Sequence, residues 1–252
     1  MRHRAGKAPN LAALLLAALA FLCLPALLAL AQAGSIPSSR RSDIAYEAAR
    51  PRLQTDLDAK GLRLGSRVFL RITKEPGELT AFIEDADGTF KPFRTWPVCS
   101  VSGSLGPKRR EGDNQAPEGF YTVKPGQMNP ASNYHLAFNL GYPNAFDRAN
   151  GRTGSFLMVH GNCVSIGCFA MTDAAIEEIW TLMQAAYEGG QTAIDVHIFP
   201  FPMTEANLKS HAADPNAGFW EDLAPAWDVF EVSGHVPAVS VQDKTYVVAP
   251  AA

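Results

Sequence analysis

The chain has 252 residues, of which 47% are hydrophobic, and its formal net charge at pH 7 is −3. This length suits one domain with appendages. The net negative charge argues against nucleic acid as a partner, because phosphate binding requires clustered positive charge. The 4 cysteines are too few for a disulfide scaffold in a chain of this length.

Residues 1–33 are predicted to be an export signal. Basic side chains occur among the first seven residues, and Leu11–Ala31 is an uninterrupted apolar stretch. The sequence Ala31-Gln32-Ala33 then matches the small-x-small pattern that signal peptidase cleaves. The apolar stretch is also long enough to span a bilayer, so a retained membrane anchor is the alternative. We therefore expect a periplasmic or secreted protein, or an inner-membrane protein if the segment is kept.

Residues 34–65 are predicted to form a linker followed by a helical segment. The residues from 34 to 41 are rich in Ser, Pro and Arg, and the stretch from Ser42 to Lys60 has Leu53 and Leu57 on one helical face. We expect this helix to break near Arg50, because a proline disfavours helical backbone in the residue before it.

From residue 66 the pattern indicates strands, rich in β-branched and aromatic residues and separated by turn residues. The first three, at 68–72, 78–84 and 89–100, are predicted to form an antiparallel meander. Further strands are expected at 120–123, 134–140, 155–159 and 192–201, and long loops at 102–119 and 142–154.

One main helix is predicted after Thr172 or Asp173, either of which can cap it. Its apolar residues recur at i, i+3, i+4 and i+7, the spacing of an amphipathic helix. These residues are Ile176, Ile179, Trp180, Met183 and Tyr187. Residues 202–252 are expected to add short helices and a possible final strand as a small cap on the main domain.

The stretch VHGNCVSIGCFAMTD, residues 159–173, places His160, Cys163 and Cys168 within nine residues. A metal site is one interpretation, but structural zinc sites usually show paired C-x2-4-C motifs, which the chain lacks. A disulfide suits an exported protein. Cys163 could bridge to Cys99 or, through a tight loop, to Cys168, and the sequence does not decide between them. Either bridge leaves one thiol unexplained.

A nucleophile beside its base explains more of the residues. A thiolate is the reactive form of cysteine, and a neighbouring imidazole such as that of His160 can generate it at neutral pH. Gly161 and Gly167 permit tight turns and let backbone N–H groups approach a developing oxyanion. Cys168 is favoured over Cys163 because it follows Gly167 and comes shortly before the helix cap.

The motif HGNCVSIGC resembles the signature of the YkuD-type L,D-transpeptidases, cysteine enzymes of the bacterial cell wall, written H-G-x(n)-S-x-G-C. The matching residues are His160, Gly161, Ser165, Gly167 and Cys168. The segments PVCSVSGSLGPK, APEGFYTV and FNLGYPNAFDRANGRTG are similar to the YafK-like branch of this family. The resemblance extends over residues 45–205, far beyond the motif itself.

The resemblance implies a mostly β catalytic domain at residues 66–201, a sandwich of mixed sheets with the main helix after the catalytic cysteine. It implies that Cys168 is the nucleophile and His160 the general base and then acid. The turn at Gly161, Ser165 and Gly167 would form the oxyanion site. Such enzymes attack a diaminopimelate carbonyl of a peptidoglycan stem peptide, form a thioester and pass the acyl group to an amine or water. They use no metal or organic cofactor.

The chain departs from the family signature at two positions. Many members read S-H-G-C-x-R, whereas Ile166 and Ala170 stand here in place of the second histidine and the arginine. Arg148 or Arg152 could replace that arginine by binding a stem-peptide carboxylate bidentately. The basic residues at 108–110 are expected to be solvated loop charges.

The direction of the reaction stays open in the sequence. The leading expectation is a transpeptidase that transfers the acyl group to an amine. An amidase that cuts a stem peptide, or releases a lipoprotein linked to peptidoglycan, is the first alternative. A catalytically inactive wall-binding module is the second, although the intact His160 and Cys168 pair argues against it.

Overall fold

The structure is a computed structural model that describes residues 35–250. The export signal predicted for residues 1–33 lies outside the described residues. Within residues 35–250, no helix is both long enough and apolar enough to cross a bilayer.

The described chain combines two larger sheets, a terminal hairpin and α-helices. The strands are β1 (Val68–Thr73), β2 (Glu78–Glu84), β3 (Phe90–Pro97), β4 (Ser100–Val101), β5 (Gly119–Val123), β6 (Met128–Asn129), β7 (Ala137–Asn139), β8 (Met158–His160), β9 (Phe169–Ala170), β10 (Ile194–Phe199), β11 (Ala238–Gln242) and β12 (Thr245–Ala249). The α-helices are α1 (Arg40–Asp58), α2 (Ala145–Ala149), α3 (Asp173–Glu188), α4 (Glu205–Ser210) and α5 (Ala217–Ser233). The prediction of a mostly β domain with one main helix after the motif is confirmed.

The main sheet has the strand order β3-β2-β1-β10-β5. The predicted meander is confirmed, since β1, β2 and β3 pair antiparallel, while β1 pairs parallel with β10. Leu70 and Ile72 of β1 and Val196 and Ile198 of β10 are fully buried. Central strands covered on both faces require such apolar side chains, and their burial is the main stabilising contribution.

The second sheet has the order β4-β9-β8-β7-β6, with strands of only 2 or 3 residues. Its side chains Phe138, Val159 and Phe169 are fully buried in the same hydrophobic core as the main sheet. Strands this short form few backbone hydrogen bonds, so packing against the core must supply most of their stability. This sheet carries the motif residues.

The first helix differs from the prediction, because α1 runs through Pro51 without a break. A proline inside a helix costs about 3 kcal/mol. Here Leu53 and Leu57, both fully buried, pack on the common core, and Ser39 caps the N-terminus. Tertiary burial of this face outweighs the local penalty, a contribution that the sequence rule does not include.

The main helix α3 follows its prediction. Thr172 is the N-cap residue and its side chain accepts the Ala175 N–H at 3.2 Å. Ile176, Ile179 and Trp180 are fully buried. The helix therefore buries one side against the sheets directly after the motif. The loop predicted at 142–154 contains the short helix α2 instead, which the sequence pattern did not reveal.

The C-terminal region packs against the face of the main sheet that carries Phe69 and Phe82. Phe230 of α5 contacts both rings, with centroids 4.9 Å apart in each pair. Trp220 is buried and its Nε1–H donates to Glu118 at 2.8 Å. The short helices and final strand predicted here are present, and β11 and β12 form a hairpin.

Candidate active site

His160 is the last residue of β8 and is only 3% exposed. Its Nδ1 lies 2.7 Å from the carbonyl oxygen of Gly161. A carbonyl oxygen only accepts hydrogen bonds, so Nδ1 carries the proton and the neutral ring presents a lone pair at Nε2. Burial lowers the pKa of His160, against the opposing effect of the Gly161 hydrogen bond. The imidazole is therefore neutral at pH 7 and competent to accept a proton.

Cys168 follows in the loop that joins β8 to β9, and its thiol is free and partly exposed. The Sγ atom lies 3.9 Å from the carbonyl oxygen of Phe156. Burial raises the pKa of the Cys168 thiol, while a backbone hydrogen bond from Met158 and the charge of Lys108 oppose the rise. The resting thiol is thus protonated at neutral pH and needs a base to become a nucleophile.

Strand pairing places Cys168 and His160 on neighbouring parts of the second sheet. β8 and β9 are parallel neighbours, with Val159 opposite Phe169 and His160 opposite Ala170. Cys168 immediately precedes β9, and His160 is the last residue of β8, so the two residues lie on neighbouring strands two register positions apart. Among the described residues, no hydrogen bond joins Cys168 Sγ to His160; such contacts often tighten only when substrate binds.

Ser165 and Gly167 shape the turn in front of the thiol. The Ser165 Oγ accepts the Cys168 N–H at 3.0 Å and donates to the Cys168 carbonyl oxygen at 2.6 Å. Ser102 in turn donates to Ser165 Oγ at 3.0 Å. Gly167 has φ +93°, a backbone conformation that glycine adopts without a steric penalty. These contacts fix the backbone on which the nucleophile sits.

Gly161 is closely packed beside His160, and its N–H is already hydrogen-bonded. Its N–H already donates to the carbonyl oxygens of Tyr134 and Leu136, at 3.0 and 3.1 Å, so it does not point toward a developing oxyanion. A Cβ at this position would lie 2.6 Å from an Asp173 carboxylate oxygen and 2.9 Å from the His135 Cβ. Gly161 is therefore required by close packing beside His160.

The disulfide question that the sequence left open is answered by the structure. Cys99 and Cys163 are bridged, with Cα atoms 5.2 Å apart, and Cys168 is the free thiol of the described chain. The two bridged residues also donate backbone hydrogen bonds to Ala170 and Met171, on either side of the end of β9. The bridge thus ties the loop between His160 and Cys168 to the second sheet. It also occupies the Cys163 sulfur that the metal interpretation needs.

The two arginines proposed as substrate ligands are not equivalent. The Arg152 side chain is 8% exposed and donates to the fully buried Asp147 at 2.9 Å, and its guanidinium lies over the Phe146 ring. Its guanidinium therefore serves the internal ion pair with Asp147 and is mostly withdrawn from solvent. Arg148 is exposed and donates to the carbonyl oxygen of Pro143.

Lys108 contradicts the expectation of a solvated charge, whereas Arg109 and Arg110 are exposed as expected. Lys108 is 4% exposed, and its Nζ donates to Asp113 at 2.6 Å and to the Arg110 carbonyl oxygen at 2.9 Å. Burial raises the pKa of Asp113, but hydrogen bonds from Lys108 and three backbone N–H groups lower it to about 2. The local sequence does not predict the burial of Lys108, because that burial depends on how the surrounding loop folds back on itself.

The fold and site now identify the class of protein. Residues 76–198 match the YkuD family, described as the L,D-transpeptidase catalytic domain. The chain belongs to this family, as the motif resemblance indicated.

The chain is similar to a bacterial protein in sequence and to a solved structure. The Escherichia coli K12 protein YafK, provisionally named an L,D-transpeptidase, is 44% identical over 185 residues, which cover 73% of this chain and 75% of that protein. The helical cell shape determining protein Pgp2 from Campylobacter jejuni has a TM-score of 0.43 and 18% identity, covering 76% of this chain and 80% of that one. That structural likeness is too distant to inform the site.

Proposed function

We propose that the chain is an exported enzyme that acts on peptidoglycan stem peptides by acyl transfer through Cys168. The observation that supports this proposal is that the free, partly exposed thiol of Cys168 precedes the strand β9 that pairs with β8, whose last residue His160 is buried with its Nδ1 bound to a backbone carbonyl oxygen. Membership of the L,D-transpeptidase family supports the same substrate class.

The first half of the reaction forms a thioester. His160 Nε2 accepts the proton of Cys168 Sγ, and the thiolate attacks the diaminopimelate carbonyl of the donor stem peptide. The oxyanion then collapses, the carbon–nitrogen bond breaks, and the imidazolium returns its proton to the departing amine. The hydrogen bond to the Gly161 carbonyl oxygen holds the ring in the required tautomer and stabilises the cation that forms.

The second half reverses these roles. An acceptor amine approaches the thioester, His160 takes its proton, and the new amide forms as Cys168 Sγ leaves and is reprotonated. With water as acceptor, the same steps release a free carboxylate. No step requires a metal or an organic cofactor.

Hydrolysis is the second candidate, and an observation favours it. Phe156 and Ile166, on the two segments that flank Cys168, are 71% and 81% exposed, so the thioester would be open to water. The enzyme would then act as an amidase on stem peptides or on a lipoprotein linked to them. In a water-excluding site, transfer to an amine would be favoured instead.

The test is incubation of the purified mature chain with isolated sacculi that carry or lack linked lipoprotein, followed by mass analysis of the muropeptides. We expect new cross-linked or shortened muropeptides, or released lipoprotein, with the wild type and none with Cys168→Ala. Val232→Ala, a change at a residue 89% exposed on α5, serves as the matched control. Binding to sacculi without any covalent product would replace this proposal with the wall-binding module.

The proposed location follows from residues 1–33. Export would bring the site to peptidoglycan and into an oxidising compartment in which the Cys99–Cys163 bridge can form. Fractionation and intact-mass measurement of the mature protein test this. Cleavage after Ala33 is expected, and an uncut chain in the membrane fraction would favour the anchored form.

A further inference from the structure

Phe156 combines two unfavourable features beside the nucleophile. Its backbone lies in the left-handed region, with φ +55°, which is rare for a bulky side chain and costs energy. Its ring is 71% exposed, so burial of the ring does not offset that cost. Residues held in such conformations cluster at functional sites. Packing therefore does not explain the strained backbone of Phe156, and a functional role is indicated.

The residues on both sides hold Phe156 in place. Leu157 is buried, and its carbonyl oxygen accepts the Leu140 N–H at 2.9 Å. Two residues earlier, Gly154 lies so close to the Lys108 side chain that a Cβ would approach Cε to 2.7 Å. The Phe156 carbonyl oxygen consequently lies 3.9 Å from Cys168 Sγ, and the side chain of the same residue is exposed to solvent.

A second exposed apolar side chain lies on the opposite segment. Ile166 is 81% exposed and precedes Cys168 by two residues. Phe156 and Ile166 thus present apolar surface from the two segments that meet at the nucleophile. Isolated exposed hydrophobic residues are common, but a pair that flanks a reactive thiol indicates a ligand contact.

We propose that Phe156 is a specificity-determining residue whose ring, with Ile166, contacts the methylene chain of the diaminopimelate residue in the acyl donor. This inference rests on the proposed function. The reacting carbonyl must come within about 3–3.5 Å of Sγ for attack. The side chain of the donor residue branches from the carbon next to that carbonyl, so its methylene groups come near the sulfur, where the Phe156 backbone lies 3.9 Å away and its exposed ring can reach them. Apolar surface on both partners is then removed from water.

The test compares Phe156→Gly with the wild type in steady-state kinetics on a purified tetrapeptide muropeptide. Glycine removes the ring and relieves the left-handed strain. We expect KM to rise about tenfold, because one aromatic contact is lost, with kcat changed by less than about twofold. The melting temperature should equal or exceed that of the wild type. Phe156→Tyr should restore KM, and Val232→Ala, at a residue 89% exposed on α5, should leave it unchanged.

Alkylation of Cys168 by iodoacetamide separates this role from a structural one. The rate should be the same in the wild type and Phe156→Gly, because the thiol and its backbone contacts remain. An unchanged KM, or a parallel fall in melting temperature and alkylation rate, would overturn the inference while leaving the proposed function in place. Absence of muropeptide turnover by the wild type would overturn the proposed function itself, and this inference with it.

Discussion

Each of the two larger sheets buries one histidine, and the surroundings of the two rings differ although their burial is the same. His160 in the second sheet and His197 in the main sheet are both 3% exposed, and burial lowers the pKa of each. The neighbours of the two rings differ. His160 holds a backbone carbonyl at 2.7 Å beside a segment that ends in a free thiol.

His197 lies instead among aromatic rings, with the Phe69 and Phe120 centroids 4.8 and 4.7 Å away. Within residues 35–250, no hydrogen bond to its side chain is found. Its burial therefore serves packing, and its neutrality follows from desolvation together with the nearby Arg71 charge. Of the two, only His160 has the hydrogen-bonded Nδ1 that the proposed base requires.

The largest expected effect concerns Cys168. Cys168→Ala should reduce muropeptide turnover by at least about a thousandfold, because the covalent route disappears. The free energy of unfolding should change by less than about 0.5 kcal/mol, since the side chain is partly exposed. Turnover assays paired with urea denaturation measure both quantities. Substantial residual turnover would show that the sulfur is not the nucleophile.

Substitution of His160 should lower kcat/KM strongly, whereas substitution of His197 should leave it nearly unchanged. His160→Ala is expected to lower kcat/KM by about 10²–10⁴-fold, the usual contribution of a general base. His197→Phe, which keeps a ring in contact with Phe69 and Phe120, should leave kcat/KM within about twofold. The same kinetic assay on both variants tests the comparison directly. Comparable losses would mean that His160 acts only through packing.

Removal of the disulfide measures how much the bridge stabilises the fold around the second sheet. The bridge closes a sequence separation of 64 residues, for which chain entropy predicts about 4 kcal/mol of stabilisation. Replacing Cys99 and Cys163 together by serine should lower the free energy of unfolding by about 2–4 kcal/mol, measured by urea denaturation. Some turnover should remain at temperatures where the variant is folded, because Cys168 is untouched. Complete loss of turnover in a folded variant would make the bridge part of the catalytic geometry.

His197 should make the main sheet sensitive to acid. Burial lowers its pKa to about 3, below the ordinary value near 6.5, so the unfolded chain binds the proton more readily than the folded one. The stability contributed by the neutral ring is complete above pH 6.5. It is then lost as the pH falls, by about 1.4 kcal/mol per pH unit between 6.5 and 3. Urea midpoints across this range should be less pH-dependent in His197→Phe than in the wild type.

The smallest effect is expected at Lys108. Its buried charge lowers the pKa of the Cys168 thiol against the effect of burial. Lys108→Met should therefore shift the pH profile of iodoacetamide alkylation at Cys168 to higher pH, while Lys108→Arg should retain the wild-type profile. Lys74→Met, which removes another buried cation, paired with Glu118, controls for general loss of stability. A profile that shifts equally in Lys108→Met and Lys74→Met would assign the effect to structural change.

Periodicity predicted the secondary structure best where burial is regular. Strands β1–β3 were located to within a few residues from their alternation and apolar composition, and helix α3 from its apolar residues at i, i+3, i+4 and i+7. Both patterns are regular because these elements each bury one face in the shared core. The same local rules were wrong at Pro51, where packing of Leu53 and Leu57 outweighs a backbone preference. They also missed α2, which has only five residues.

The candidate site was predicted from residue types, spacing and family resemblance and not from periodicity. The residue types and spacing around Cys168 and His160, with their resemblance to a known signature, were sufficient to nominate the nucleophile and base. The solvated position expected for Lys108 was wrong, because its ammonium group is buried against Asp113. Arg152 is paired with the buried Asp147, and its proposed substrate role stays a prediction. Neither pairing has a local signal, since each depends on how an irregular loop folds.

The sequence by itself therefore determined the strands and main helix, the family signature and the residues that can perform the chemistry. Tertiary structure alone decided that Cys163 pairs with Cys99, that His160 holds its proton on Nδ1 and that Phe156 stands exposed beside the thiol. The physical reason is the sequence separation over which each feature is determined. Periodic burial is written into neighbouring residues, whereas a disulfide partner, a tautomer and a strained carbonyl depend on atoms that only the folded chain brings together.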